Sequence, residues 1–151
     1  MIVVPPSLRV QIEAHARAEF PAECCGYLTG PRDGDAVDAI VPCRNAQPDG
    51  EHPTAPERGA DTGFVIAGAE LLAFARSFDS ARPARIVYHS HTNGRAYFSA
   101  VDREVARGAG YPVQPVVVGV SITGVTECAQ FALDAAGEPV EVSRWTATVL
   151  G

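Results

Sequence analysis

The residues best suited to chemistry fall in one short stretch: His89-Ser90-His91, then Ser99 and Asp102. The two histidines sit one residue apart, directly after the apolar run Ile86-Val87-Tyr88. If that run is a strand, alternation puts both imidazoles on one face. Two imidazoles, with a carboxylate brought back by a turn, can hold one zinc ion and leave a position open for water. His89, His91 and Asp102 meet that count. Zinc in such a site lowers the pKa of a bound water to about 7, which is the chemistry of hydrolysis. Amide hydrolysis also needs a group to carry a proton from water to the leaving amine, a task suited to a glutamate. It needs a donor for the developing oxyanion as well, and the Ser99 hydroxyl is placed to serve.

Bland readings stand beside these. A lone histidine at a strand end is more often a hydrogen-bonded core or surface residue than a ligand. Ser99-Ala100-Val101-Asp102 has the form of a helix capping box, with Asp in the usual Glu/Gln place. The two roles compete for the Asp102 carboxylate, so ligation is expected to displace its bond back to the Ser99 amide, while Ser99 both caps and faces the metal. Cys43 as a fourth ligand would close the open position. Asn93, Arg95 and Tyr97 lie between the ligands and are candidates for lining a substrate cleft, with plain solvent exposure as the alternative. His15 and His52 read as surface residues.

The elements that must position these groups follow from pattern. Residues 2–4 suggest a short strand stopped by Pro5-Pro6, and Ser7 a helix N-cap, with Leu8, Ile12 and Ala16 on one helical face. Pro21 disfavours helical geometry at Phe20, ending that helix. Residues 24–30 read as a strand, 33–35 as a turn, and 36–43 as a second strand making a hairpin with the first. Residues 44–63 are rich in Pro, Gly, Asp and Glu without apolar period, a loop of the length usually functional or mobile. It could clamp an extended substrate or act as a disordered spacer. Residues 64–66 suggest a brief strand, and 68–78 a helix with Leu71, Leu72, Ala75 and Phe78 on one side. Residues 85–88 form the strand that delivers the histidines, and 99–109 a helix. The apolar run 114–122 should be a buried central strand, followed by strands at 125–133 and 140–145. The order predicts a single α/β domain over residues 1–151, with a mixed sheet flanked by helices.

Composition narrows the class. The chain has 151 residues, 46% apolar and 20% charged, as expected for a soluble globular protein. Net charge is −6, and the chain has arginine but no lysine. No basic cluster is available to neutralise phosphates, so a nucleic-acid partner is not expected. Residues 1–6 have no basic segment followed by an apolar one, and no apolar run approaches the ~18 residues of a membrane span, so a cytoplasmic protein is expected. Cys24, Cys25, Cys43 and Cys128 show no zinc-finger or C-x-x-C spacing and read as buried free thiols. Residues 145–150 can pack internally or against a second copy, which leaves a homodimer open.

His89-x-His91, seven residues, Ser99, two residues and Asp102 is similar, without departure in spacing, to the signature of the JAMM (JAB/MPN) zinc isopeptidases. The family also places a glutamate between its first helix and the next strand, and Pro21-Ala22-Glu23-Cys24-Cys25-Gly26 resembles that segment. The resemblance covers about residues 5–135 and implies a JAB/MPN fold, similar to that of cytidine deaminases. It also implies Zn2+ held by His89, His91 and Asp102, with Glu23 as general acid/base and Ser99 as catalytic partner. The short chain looks like the bacterial stand-alone branch. That branch implies cleavage of a peptide or isopeptide bond after the C-terminal Gly-Gly of a ubiquitin-like sulfur carrier, for example to release a terminal amino acid such as cysteine. Thr92 departs from the proline many relatives carry, which affects the shape of the cleft more than the metal. A non-catalytic MPN-type scaffold is the alternative, but such modules usually lack a ligand. A zinc deaminase would need His-x-Glu with Pro-Cys-x-x-Cys, and a common zinc protease His-Glu-x-x-His; none of these occurs.

Overall fold

The computed structural model describes residues 1–45, 66, 68–100, 102–103 and 110–148. Its elements run α1 (Pro6–Glu19), β1 (Cys25–Thr29), β2 (Ala39–Cys43), α2 (Gly68–Ser77), β3 (Ala84–His91), β4 (Gln114–Ser121), β5 (Gly124–Leu133) and β6 (Pro139–Trp145). The strands form one six-stranded sheet in the order β2-β1-β3-β4-β5-β6. Only β3 and β4 pair in parallel; every other neighbouring pair is antiparallel. The mixed sheet and both helices are as expected. Most of residues 44–63, the strand at 64–65, the latter part of the helix at 99–109, and His52 lie outside the described residues. Ile66 is not in a strand, and Ala100, Asp102 and Arg103 are helical.

Side-chain alternation divides the core between the two faces of the sheet. On one face α1 sends Leu8, Ile12 and Ala16 against Leu28, Ile86, Tyr88, Val116, Val118 and Cys128. On the other, Phe74 of α2 packs with Cys25, Tyr27, Cys43 and Ala84. A third cluster, Ala96, Val117, Ala129 and Phe131, sits further along. Cys25 pairs with His89, and His89 with Val117, across neighbouring strands. The histidine face therefore lies between the second and third apolar clusters. All four cysteines are free and buried, and burial pushes the thiols of Cys24 and Cys128 up to about 12.

Three local expectations are corrected. Ser7 is not the N-cap: Pro5 is, with Pro6 at N1, where its missing N–H costs nothing because that donor has no helical partner. The buried face of α2 is set by Phe74, not by Leu71 and Leu72, which are exposed. An aromatic group decides it: Phe74 meets Tyr27, Phe78 and Tyr111 edge-on at 4.8–5.2 Å between ring centroids. His15 is only partly exposed, and its Nδ1 lies 2.7 Å from the buried Tyr88 hydroxyl. Gly26 makes that arrangement possible, because a Cβ there would fall 2.4 Å from the same hydroxyl.

Candidate metal centre

β3 supplies the first two groups. His89 and His91 are i and i+2 on one strand, so both imidazoles leave the same face, and both are buried. Their Nε2 atoms are 3.1 Å apart. Asp102, at the start of the following helical turn, closes the triangle. Its Oδ1 lies 3.1 Å from His89 Nε2 and its Oδ2 3.1 Å from His91 Nε2. Among the described residues this is the one group of His, Cys, Asp or Glu ligand atoms gathered closely enough for a metal ion.

The donor set fits zinc. A tetrahedral ion with bonds of about 2.0–2.1 Å needs ligand atoms about 3.3 Å apart, close to the observed spacing. Three donors of the nitrogen and oxygen kind leave a fourth position free. No cysteine joins the group among the described residues; the Cys43 thiol instead faces the Glu70 carboxylate.

Electrostatics within the cluster are strong. Burial disfavours charge on His89, but the facing Asp102 carboxylate outweighs it, and Glu23 adds to it, so the imidazole's pKa is raised. Burial likewise opposes the Asp102 carboxylate, yet the two imidazoles hold its pKa well below the usual range. His91 Nδ1 is buried without a hydrogen-bond partner among the described residues. Ligation through Nε2 would put the ring proton on that atom.

Asp102 does not choose between capping and facing the imidazoles. Its Oδ2 accepts the Ser99 backbone N–H at 3.0 Å while remaining beside His91, and Ser99 Oγ accepts the Asp102 N–H at 3.0 Å. The bond to the Ser99 amide and the approach to both imidazoles coexist here because a carboxylate offers several lone pairs on two oxygens. The capping box therefore orients the candidate ligand. With Ser99 Oγ acting as acceptor there, its hydroxyl proton remains available to donate.

Glu23 lies in the connection between α1 and β1 and is buried. Its charge bears on His89, and the sheet register sets Cys25, two residues on, opposite His89. Three backbone contacts fix this segment. Ser90 Oγ accepts the Cys24 N–H at 2.8 Å, the Ser90 N–H donates to the Cys24 carbonyl at 3.1 Å, and Asn45 Nδ2 donates to the Glu23 carbonyl at 2.9 Å. Ser90 escaped the sequence reading. Its signal was there: the residue between two same-face histidines must point the other way, and a fully buried hydroxyl needs a partner.

Asn93, Arg95 and Tyr97 line a cleft of about 390 Å³ together with Ala96, Glu127 and Arg144. Tyr97 packs its ring on that of His91, with centroids 4.6 Å apart, so the cleft adjoins the cluster. Glu127 and Arg144 belong to β5 and β6 and carry no local pattern that could have placed them here.

A mixed sheet that presents His-x-His from a central strand, met by Ser and Asp at the next helix start, defines a family. Residues 5–135 match the prokaryotic homologs of the JAB domain, and the chain belongs to that family. Among curated proteins it is 30% identical over 106 residues to the CysO-cysteine peptidases of Mycobacterium tuberculosis and Mycobacterium bovis. That match takes in 70% of this chain and 66% of theirs, so the chain spans slightly under two thirds of these relatives. Among solved structures it is similar to a protein from Desulfitobacterium hafniense, with TM-score 0.63 and 26% identity over 94% of this chain and 90% of that one. A protein from Salinibacter ruber shares the fold, with TM-score 0.60 and 24% identity over 95% and 89% of the two chains. Among the described residues no helix is long and apolar enough to cross a membrane.

Proposed function

We propose that this protein is a zinc-dependent peptidase that cleaves after the C-terminal Gly-Gly of a ubiquitin-like sulfur-carrier protein, with His89, His91 and Asp102 as metal ligands and Glu23 and Ser99 as catalytic residues. One observation carries the reading: the ligand atoms of His89, His91 and Asp102 converge closely enough to hold one metal ion. Family membership supports metal-dependent hydrolysis, and the curated relatives' peptidase activity supports the class of substrate.

Zinc, when bound, supplies Lewis acidity that activates water and polarises the scissile carbonyl. The chain does the rest. Glu23 takes one proton from the attacking water as its oxygen bonds to the carbonyl carbon. It then delivers that proton to the leaving nitrogen as the C–N bond breaks, so the products are a carboxyl group on the carrier and a free amine, the carboxyl proton passing on to the amine or to water. The Ser99 hydroxyl donates to the carbonyl oxygen as negative charge builds there. Asp102, held through the Ser99 amide, keeps its orientation throughout.

The test pairs zinc analysis of the purified protein with cleavage of a carrier ending Gly-Gly-Xaa. Glu23→Gln should retain zinc and lose roughly 10²–10⁴-fold in kcat. Protein that binds no zinc, or a Glu23→Gln variant as fast as the wild type, would overturn the mechanism.

A further inference from the structure

Residues 92–98, which join the two halves of the candidate metal centre, are pinned to the sheet at several points. The Gly94 N–H donates to the Val120 carbonyl at 3.1 Å, Thr126 Oγ1 donates to the Gly94 carbonyl, and Arg144 donates to the Ala96 carbonyl at 2.9 Å. Gly119 permits the approach, since a Cβ there would stand 2.6 Å from the Gly94 carbonyl carbon. Side chains on this loop are thus presented from a fixed base.

Most described arginines are spent on fixed partners. Arg82 pairs with Asp38, Arg103 with Glu138, and Arg32 and Arg85 bind backbone carbonyls. Within the cleft Arg144 is paired with Glu127 and Glu141. Arg95 differs. Its backbone N–H is held by Asn93 Oδ1 at 3.0 Å, but its guanidinium has no partner among the described residues. It lines a cleft that is also lined by Tyr97, whose ring packs on that of His91. In a chain of net charge −6, an uncommitted cation beside the candidate centre marks where an anionic group of the substrate would be received.

We infer that this cleft takes the residue on the leaving side of the scissile bond and that Arg95 binds its free α-carboxylate. The inference rests on the peptidase reading and narrows it. A terminal residue carries its carboxylate two bonds beyond the leaving nitrogen, and the guanidinium fork matches a carboxylate in a bidentate pair. A lysine side chain in an isopeptide bond, or an internal peptide bond, offers no carboxylate at that position. Arg95 is therefore a specificity residue, favouring a terminal residue with a free carboxylate over a branched conjugate.

Two arms test this. In the first, kcat/KM is measured on the same carrier ending Gly-Gly-Xaa as the free acid and as the carboxamide. Wild-type protein should favour the acid by roughly 10- to 100-fold, the usual worth of a charge-assisted pair. Arg95→Ala should bring that ratio to about one. A wild-type ratio near one, or an Arg95→Ala variant that keeps the preference, overturns the inference. In the second arm, calorimetry measures binding of the free-acid and carboxamide Gly-Gly-Xaa peptides to zinc-supplemented Glu23→Gln and Glu23→Gln/Arg95→Ala proteins. An Arg95-dependent preference for the acid supports the carboxylate site, and equal binding removes it. If neither substrate is cleaved by the wild type, the peptidase reading falls, and the second arm still decides the site.

Discussion

Replacing Ser90 with alanine removes one oxygen from a position with no solvent exposure. The Cys24 N–H, which donates to that oxygen at 2.8 Å, is left buried without a partner. An orphaned buried donor costs about 1–3 kcal/mol. Spread over a chain of this length, where each kcal/mol moves Tm by roughly 2–4 °C, the variant should melt about 2–12 °C below the wild type. The catalytic loss should be larger than that modest destabilisation suggests. Cys24 is covalently joined to Glu23, and the Ser90 hydroxyl is one of three contacts that hold this backbone against β3. A shift of about 1 Å in a catalytic group costs on the order of 10²-fold in rate. Ser90→Ala should therefore retain zinc, remain folded at 25 °C, and lose roughly 10- to 100-fold in kcat with little change in KM. Melting curves, zinc analysis and steady-state cleavage of the Gly-Gly-Xaa carrier supply the readouts. A variant with unchanged Tm and unchanged kcat would refute the reasoning that Ser90 positions Glu23.

Gly119→Ala should lower stability by about 1–3 kcal/mol, as overpacking does, because its new methyl meets the Gly94 backbone at 2.6 Å; thermal melting checks this, and an unchanged Tm would mean the loop is not pinned there. Stability against pH should run in opposite directions with and without metal. In metal-stripped protein the raised His89 pKa contributes stability that is complete below its ordinary 6.5 and is lost as pH rises through the folded value. The depressed Asp102 pKa contributes stability present above its ordinary 3.8 and lost on acidification. The stripped protein should thus lose Tm on going from pH 6 to pH 8. The zinc-loaded protein should gain it, because protons compete with the metal for the imidazoles, and parallel Tm profiles for the two forms would contradict the assignment of these residues as ligands.

Much of the site was legible because its spacing is local. Two histidines at i and i+2 after an apolar run must share a strand face, and Ser99 and Asp102 three residues apart must meet at a helix start. What local pattern could not reveal was shared use. The Asp102 carboxylate faces both imidazoles while one of its oxygens still accepts the Ser99 amide. Contacts set by sheet register were hidden too. Tyr88 takes His15 from α1 as partner only because Gly26 lies opposite it on β1. Arg144 reaches Ala96 only because β6 lies beside β5. The buried side of α2 was misread because Leu71 and Leu72 were weighed for hydrophobicity alone, whereas the aromatic surface of Tyr27 and Tyr111 selects Phe74.

Glu13 ties the first helix to the segment around the end of β6. This buried carboxylate on the first helix accepts from the Trp145 indole at 3.4 Å, and from the backbone and hydroxyl of Thr148 at 2.7 and 2.6 Å. Arg9, one helical turn earlier, covers the Trp145 ring at 4.1 Å. The Glu13 contacts join residues 132 and 135 positions apart, so closing them costs more chain entropy than any contact within the helix. The helix that leads into Glu23 should consequently be seated late in folding, after β6 has joined the sheet.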